Sequence, residues 1–296
     1  MAPPIVHLTP SSPSWPAELE TIEAPPEELW ARGRLELLAP ARRVAVVGSR
    51  SPTPYGEAQA RRFGEGLARA GGTVVSGLAR GVDQAAHAGA LEAGGGCIAV
   101  LGSGVDRPWP GGPLAERLAR EGLLLSEYRP GTPPRRHHFP LRNRLIAGLA
   151  DAVLVVEAAH ASGSLITARW AADQGREVFA VPGRVDHPMS RGTLRLVREG
   201  ATPVGSPEEL LADLYGLLGT AKAAAETEAG GPAPEGLEGL DGAIVAALRG
   251  ETPTVDELAE RLGQPVGALL ARLVELELSG IVARAPGGLY RLVAPG

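Results

Sequence analysis

Seven short apolar runs divide the centre of this chain, and the gaps between them leave room for one helix each. Val44-Ala-Val-Val47 stops at Gly48, Gly72-Thr-Val-Val-Ser76 at Gly77, and Cys97-Ile-Ala-Val-Leu101 at Gly102. Leu123-Leu-Leu125, Ala152-Val-Leu-Val-Val156, Glu177-Val-Phe-Ala-Val181 and a short run at 201–204 follow. Continuous apolar strands, rather than alternating ones, are buried on both faces. Helical patterns fall between them at about 55–70, 81–93, 113–121, 140–149, 164–174 and 191–199. Several stop at a glycine (Gly71, Gly94, Gly175, Gly200), where a left-handed cap is expected. The alternation predicts an α/β fold with a mostly parallel, doubly wound sheet, in which ligands bind beyond the C-terminal ends of the strands.

The 296 residues, 44% of them hydrophobic, suffice for one large domain and a small one. Residues 1–40, rich in proline with one short helical pattern near 26–37, read as an extended lead-in to a domain at 41–218. Residues 219–236, rich in Ala, Gly, Pro and Glu, read as a linker. Residues 237–296 carry helical patterns at about 237–249, 254–262 and 265–279, then two short strands around Gly287-Gly288, which suggests a small winged-helix domain. No segment approaches the roughly 20 apolar residues that span a bilayer, and the N-terminus lacks a leader pattern, so a cytoplasmic chain without membrane contact is expected. Cys97, the single cysteine, opens an apolar strand and reads as a core thiol. Neither a disulfide framework nor a cysteine-based zinc site is available, and no metal or cofactor is expected.

Charge is unevenly spread. The formal net charge is −5, yet residues 41–204 hold 21 arginines against 14 acids, net +7. Residues 1–40 (two arginines, six acids) and 205–296 (six basic groups, 14 acids) are acidic, at −4 and −8. Within the cationic part, residues 129–144 hold five arginines, two histidines and no acid. The prolines of this run keep its first half extended. Such a segment is suited to facing an anion. Of 29 basic residues only Lys222 is a lysine, and arginine favours bidentate phosphate contacts and stacking on bases.

The strand exits supply further candidates. At Gly48-Ser49-Arg50 the glycine admits a ligand to the backbone, the serine can donate to a phosphate and the arginine supplies charge, although Arg50 also fits an ordinary surface position. The exit is neither a dinucleotide fingerprint nor a Walker A loop, which argues against a nicotinamide cofactor and ATP hydrolysis. In Ser76-Gly77-Leu78-Ala79-Arg80-Gly81 the two glycines allow a turn whose amides cradle an anion. Asp83 can cap the following helix and His87 can pack beneath it. Leu101-Gly-Ser-Gly104 and Gly163-Ser164 repeat the small-residue exits. Phe139, set among arginines, is either a stacking platform for an unpaired base, worth roughly 1–3 kcal/mol per base, or a plug for the sheet end. Arg142, Asn143 and Arg144 open the helix behind it, where terminal amides add to phosphate attraction. Glu157 could serve as a catalytic carboxylate or hold an arginine, and without a paired acid the second reading is preferred.

Six ordered motifs now stand together over about residues 40–215. They are Val46-Val-Gly-Ser-Arg50 with Thr53-Pro-Tyr-Gly56, Ser76-Gly-Leu-Ala-Arg-Gly81, Val100-Leu-Gly-Ser-Gly104, Phe139-Pro-Leu-Arg-Asn-Arg144, Gly163-Ser-Leu-Ile-Thr-Ala168 and Phe179-Ala-Val-Pro-Gly183. This set resembles the DNA-processing protein A (DprA/Smf) family. The resemblance implies an extended Rossmann-like domain that is no enzyme. Such a domain binds single-stranded DNA irrespective of sequence, protects incoming strands in natural transformation, helps load the recombinase RecA, and forms homodimers. By motif it implies Arg50 and Arg136 as the phosphate-contacting pair, with lysine at the second position in many relatives, and Phe139 as the base-contacting ring. The full expected interface comprises Gly48, Ser49, Arg50, Gly77, Arg80, Gly81, Arg136, Phe139, Arg142, Asn143, Arg144, Gly163 and Ser164.

Two departures from the family pattern matter. Many relatives carry an N-terminal helical domain of sterile-alpha-motif type, for which 40 proline-rich residues are too few. The presumed recognition helix of the winged helix, at 265–279, has only Arg272 against Glu275 and Glu277, so it is expected to contact protein or to be auxiliary. Two other functions stay in view: a nucleotide-processing hydrolase of a related Rossmann-like class, which needs a paired carboxylate beside a compact pocket, and a winged-helix regulator of duplex DNA.

Overall fold

In a computed structural model, which describes residues 3–39, 41–216, 239–248, 253–279, 281–285 and 289–292, the chain divides into two units, 1–216 and 217–296. Among the described residues of the first unit, nine strands form one mixed sheet: β1 (Ile5–Leu8), β2 (Leu29–Gly33), β3 (Arg43–Val47), β4 (Thr73–Ser76), β5 (Gly96–Val100), β6 (Leu123–Ser126), β7 (Ala152–Val155), β8 (Glu177–Ala180) and β9 (Thr202–Pro203). Their order across the sheet is β1-β2-β6-β5-β4-β3-β7-β8-β9. From β6 to β9 every pairing is parallel. The helices are α1 (Pro54–Arg69), α2 (Val82–Glu92), α3 (Pro113–Glu121), α4 (His138–Gly148), α5 (Ser164–Asp173), α6 (Arg191–Arg198) and α7 (Pro207–Tyr215).

Every residue of β3, β4, β6 and β7 is buried, as continuous apolar runs demand. Local chemistry sets the helix starts. Thr53 accepts from the Gly56 amide at 3.1 Å ahead of Pro54, and Ser206 accepts from Glu209 at 3.2 Å ahead of Pro207. Helices α1 and α2 approach through glycine: a Cβ at Gly64 would lie 2.1 Å from the Ala86 carbonyl oxygen, and one at Gly89 2.2 Å from that of Arg61. Strand order reverses between β3 and β7, which makes their C-terminal ends the switch point where a doubly wound sheet opens a crevice.

The N-terminal segment is a correction. Residues 3–39 do not form an extended lead-in, and in place of one helix near 26–37 the chain forms β2 followed by a 3-10 turn at Leu35–Leu38. The hairpin of β1 and β2 adds two antiparallel strands to the sheet, with Trp30 opposite Ser126 and Gly33 opposite Leu123. Leu8, Trp15, Leu19, Ile22, Leu29, Ala31 and Leu38 enter the main core. The pairing with β6 spans some ninety residues of sequence, a non-local contact that local patterning cannot reveal. Helix α7 was likewise absent from the expected elements. The expected linker at 219–236 lies outside the described residues.

The second unit holds α8 (Gly239–Ala247), α9 (Val255–Leu262), α10 (Val266–Leu278) and the antiparallel pair β10 (Val282–Ala285) and β11 (Leu289–Leu292) around its own core, the arrangement of a winged helix. Thr254 and Glu257 form a capping box on α9. Among the described residues no helix is long and apolar enough to cross a membrane.

Candidate nucleic-acid interface

At the switch point lies an open groove of about 540 Å³, bordered by the exits of β3 and β7 and the starts of α4 and α5. Eight of the expected residues line it: Gly48, Ser49, Arg50, Phe139, Arg142, Asn143, Gly163 and Ser164. Gly77, Arg80, Gly81, Arg136 and Arg144 do not. Ser162, Thr167 and Met189 also border the groove. Thr167 belongs to a motif already visible in the sequence, whereas Met189 follows β8 in a stretch with no local signal.

The β3 exit is held open by its neighbours. Ser49 donates its amide to Glu157 O (2.7 Å), its carbonyl accepts from Val82 N (3.1 Å) and its hydroxyl accepts from Ser51 N (3.1 Å). Arg50 then projects into solvent, its guanidinium carbon 5.7 Å from the centre of the Phe139 ring. The Phe139 ring is half-buried and abuts Gly102, where a Cβ would lie 3.0 Å from its Cδ1. Phe139 thus packs on the sheet end, one of the two roles weighed for it, and also borders the groove. Asn143 donates to Gly163 O at 3.4 Å across the groove floor.

Arg142 and Arg144 do not occupy the surface positions expected of phosphate ligands. Arg142 is 3% exposed, and its Nη1 donates to the carbonyls of Gly77 (2.8 Å) and Val100. Burial pushes its pKa down to about 10, offset by the charge of Asp83, so it remains a cation at neutral pH. Arg144 is spent as well: both Nη atoms donate to the Glu127 carboxylate (2.8 and 2.6 Å) and Nε donates to Ala24 O (2.9 Å). The reason is helical periodicity. His138, Arg142, Leu145 and Ile146 share the buried face of α4, four and three residues apart, so position 142 turns towards the strand ends whatever its charge.

The turn after β4 is also filled from within. Its Gly77 and Ala79 amides donate to Asp83 Oδ2 at 3.1 and 3.2 Å, so the expected anion cradle holds an internal carboxylate. Burial raises the Asp83 pKa and the Arg142 charge opposes that rise. Gly81, at φ +84°, is required there, because a Cβ would lie 2.4 Å from Ser49 O. His87 packs beneath, fully buried. Among the described residues Glu157 holds no arginine; it accepts from Thr53 N (2.9 Å) and Thr53 Oγ1 (2.6 Å), anchoring the start of α1.

The remaining cations are free. Arg80, Arg135 and Arg136 are exposed, and among the described residues their guanidinium groups have no ion-pair or hydrogen-bond partner. Arg129, by contrast, donates to Glu28, which also binds His7, at 2.8 Å in each case. Of the exposed, unpaired arginines it is Arg50 that lines the groove, beside the half-buried Phe139 ring and small-residue backbone; Arg80 follows the lining residue Ala79, and Arg136 precedes Phe139 by three residues. That combination can attract a polyanion carrying flat, unpaired rings.

The comparisons with known proteins agree with this geometry. The DNA recombination-mediator protein A family matches residues 6–215, and the DprA winged helix domain matches residues 227–288. Protein Smf of Escherichia coli is 43% identical over 290 residues, 97% of this chain and 77% of that protein. DNA processing protein DprA of Bacillus subtilis is 41% identical over 206 residues, 69% of each. Two solved structures share the fold of the larger unit. DNA processing protein A from Streptococcus pneumoniae has a TM-score of 0.68 at 41% identity, covering 71% of this chain and 74% of that one. DNA processing protein A from Helicobacter pylori, whose structure concerns a single-stranded DNA binding mode, has a TM-score of 0.65 at 30% identity, covering 72% and 98%. With one domain matched along nearly all of the larger unit and the second along the smaller, the chain belongs to the DNA recombination-mediator protein A (DprA/Smf) family.

Proposed function

We propose that this protein binds single-stranded DNA without sequence preference, shields incoming strands and promotes loading of RecA in transformation and recombination, acting as a homodimer formed through the Rossmann-like domain and without catalysis of its own. The observation that carries the reading is exposed Arg50 over the half-buried Phe139 ring in the switch-point groove, with exposed Arg80 and Arg136 close in sequence to its lining. Phosphates bind Arg50, Arg80 and Arg136, and a base stacks at Phe139. The Helicobacter pylori relative supports the choice of ligand.

The acids near the groove also favour binding over hydrolysis. Asp83 spends Oδ2 on two backbone amides and Glu157 is held by Thr53, so neither is poised to activate water. A duplex regulator would need a basic recognition helix. In α10 Arg272 donates to Asp241 and Glu275, which leaves its charge compensated.

The decisive measurement is fluorescence anisotropy of labelled oligo-dT with wild type, Arg50→Ala and Arg136→Ala. Each variant should bind about tenfold more weakly, with a salt slope reduced by about 0.7 per lost phosphate contact; equal affinities reject the site. RecA filament nucleation on protected strands, with and without the protein, tests the loading role, and sedimentation velocity tests the homodimer.

A further inference from the structure

The loop at 101–112, between β5 and α3, carries a tryptophan that the fold leaves outside. Trp109 is 53% exposed, whereas Trp15 is buried and Trp30 and Trp170 are half-buried. An indole offers one of the largest burials of any side chain, so leaving it in water forgoes a substantial stabilisation. The loop is fastened. Ser103 Oγ donates to Arg107 O (2.7 Å), Arg107 N to Gly104 O (2.9 Å) and Gly104 N to Thr132 O (2.9 Å). Gly131 N donates to both carboxylate oxygens of Asp106 (2.8 and 2.9 Å).

These bonds tie the loop to both parts of the arginine run. Thr132 and Gly131 belong to its first half. At the beginning of the loop, Gly102 abuts Phe139 and its carbonyl accepts from His138 Nδ1 at 3.0 Å. Two residues before the tryptophan, Arg107 is exposed, and among the described residues its guanidinium has no ion-pair or hydrogen-bond partner. Asp106, the one acid of the loop, is occupied by Gly131.

From this arrangement we infer a second subsite for single-stranded nucleic acid on the β5 exit, with Trp109 as a base-stacking ring and Arg107 as its phosphate cation. The inference rests on the single-strand reading of the Phe139 groove and extends it. The bound strand leaves Phe139, crosses the β5 exit and passes towards β6, over consecutive strand ends about 4.8 Å apart. Trp109 and Arg107 are both exposed, two residues apart on a fastened loop, and so offer a ring and a cation of the same kinds as Phe139 and Arg50.

The test compares short and long oligo-dT, about 6 and about 20 nucleotides, since single-strand site sizes lie within that span. Trp109→Ala and Arg107→Ala should weaken binding of the long oligonucleotide about five- to tenfold and change that of the short one less than twofold. Arg107→Ala should also lower the salt slope by about 0.7. Trp109→Phe should retain affinity within about twofold while abolishing the quenching of tryptophan emission on saturation. If both alanine variants bind the long strand as wild type does, or the quench persists in Trp109→Phe, the subsite is wrong. Arg50→Ala separates the two ideas: when it weakens binding at both lengths and the loop variants weaken neither, only the subsite falls. If wild type binds neither oligonucleotide, both fall together.

Discussion

The two halves of the arginine run have opposite fates. The loop at 130–137 leaves Arg135 and Arg136 in solvent without partners among the described residues, while α4, immediately after it, buries Arg142 and Arg144 against carbonyls and Glu127. Prolines keep the loop extended, whereas the period of α4 turns Arg142 towards the strand ends and Glu127 with Ala24 O holds Arg144 on another side of the helix. A charge cluster in sequence is therefore two devices in space. One leaves cations in solvent; the other braces the strand ends beneath them.

The sharpest way to break this contrast is to exchange the two kinds of arginine. Arg142→Ala removes the cation that offsets buried Asp83 and leaves the Gly77 and Val100 carbonyls without their donor, and it should cost about 3 kcal/mol or more of folding stability in urea denaturation. Arg136→Ala should leave the urea midpoint unchanged. A stable Arg142→Ala variant defective only in strand binding would erase the distinction.

Acid should expose the same buried compartment. Burial, with the Arg142 charge, pushes the His87 pKa from 6.5 down to about 3. Below pH 6.5 the unfolded chain takes up a proton that the folded chain refuses, so stability falls by about 1.4 kcal/mol per pH unit until about pH 3. Asp83, whose pKa is raised, acts in the opposite sense. The difference between wild type and His87→Leu isolates the histidine: at pH 5 the variant should have recovered about 2 kcal/mol relative to its difference at pH 7. An unchanged difference would mean that the floor beneath Arg142 admits water.

On the exposed side the effects move to binding. Phe139→Ala should weaken oligo-dT about tenfold, with a smaller change in salt slope than Arg50→Ala, because stacking rather than counterion release is lost. The smallest change is expected in the winged helix, where Arg272 is another spent arginine. Arg272→Ala should alter single-strand affinity less than twofold; a tenfold loss would move part of the interface onto the second unit.

Much of this was legible beforehand. Buried strands announce themselves as Val44-Ala-Val-Val47 and its counterparts do, because burial on both faces tolerates only apolar side chains, and glycines mark the helix ends. Six ordered motifs identified the family, and Gly48 to Arg50, Phe139 and Gly163 from those motifs line one groove. Other features depend on partners that only folding supplies. Leu29 to Gly33 pairs with a strand ninety residues away, Asp83 reaches back to the Gly77 and Ala79 amides, and Glu127 meets Arg144 across two elements.

The linear chain by itself determined most strands and helices between residues 43 and 200, where the cationic domain lies, and which family this protein belongs to. Those properties follow from local periodicity, composition and motif order. Only the tertiary structure decided which arginines remain charged towards solvent, since a guanidinium is a ligand site or a brace according to the carbonyls and carboxylates that folding brings within about 3 Å of it. It also left Trp109 exposed on a fastened loop beside the groove, a placement that no local pattern specifies.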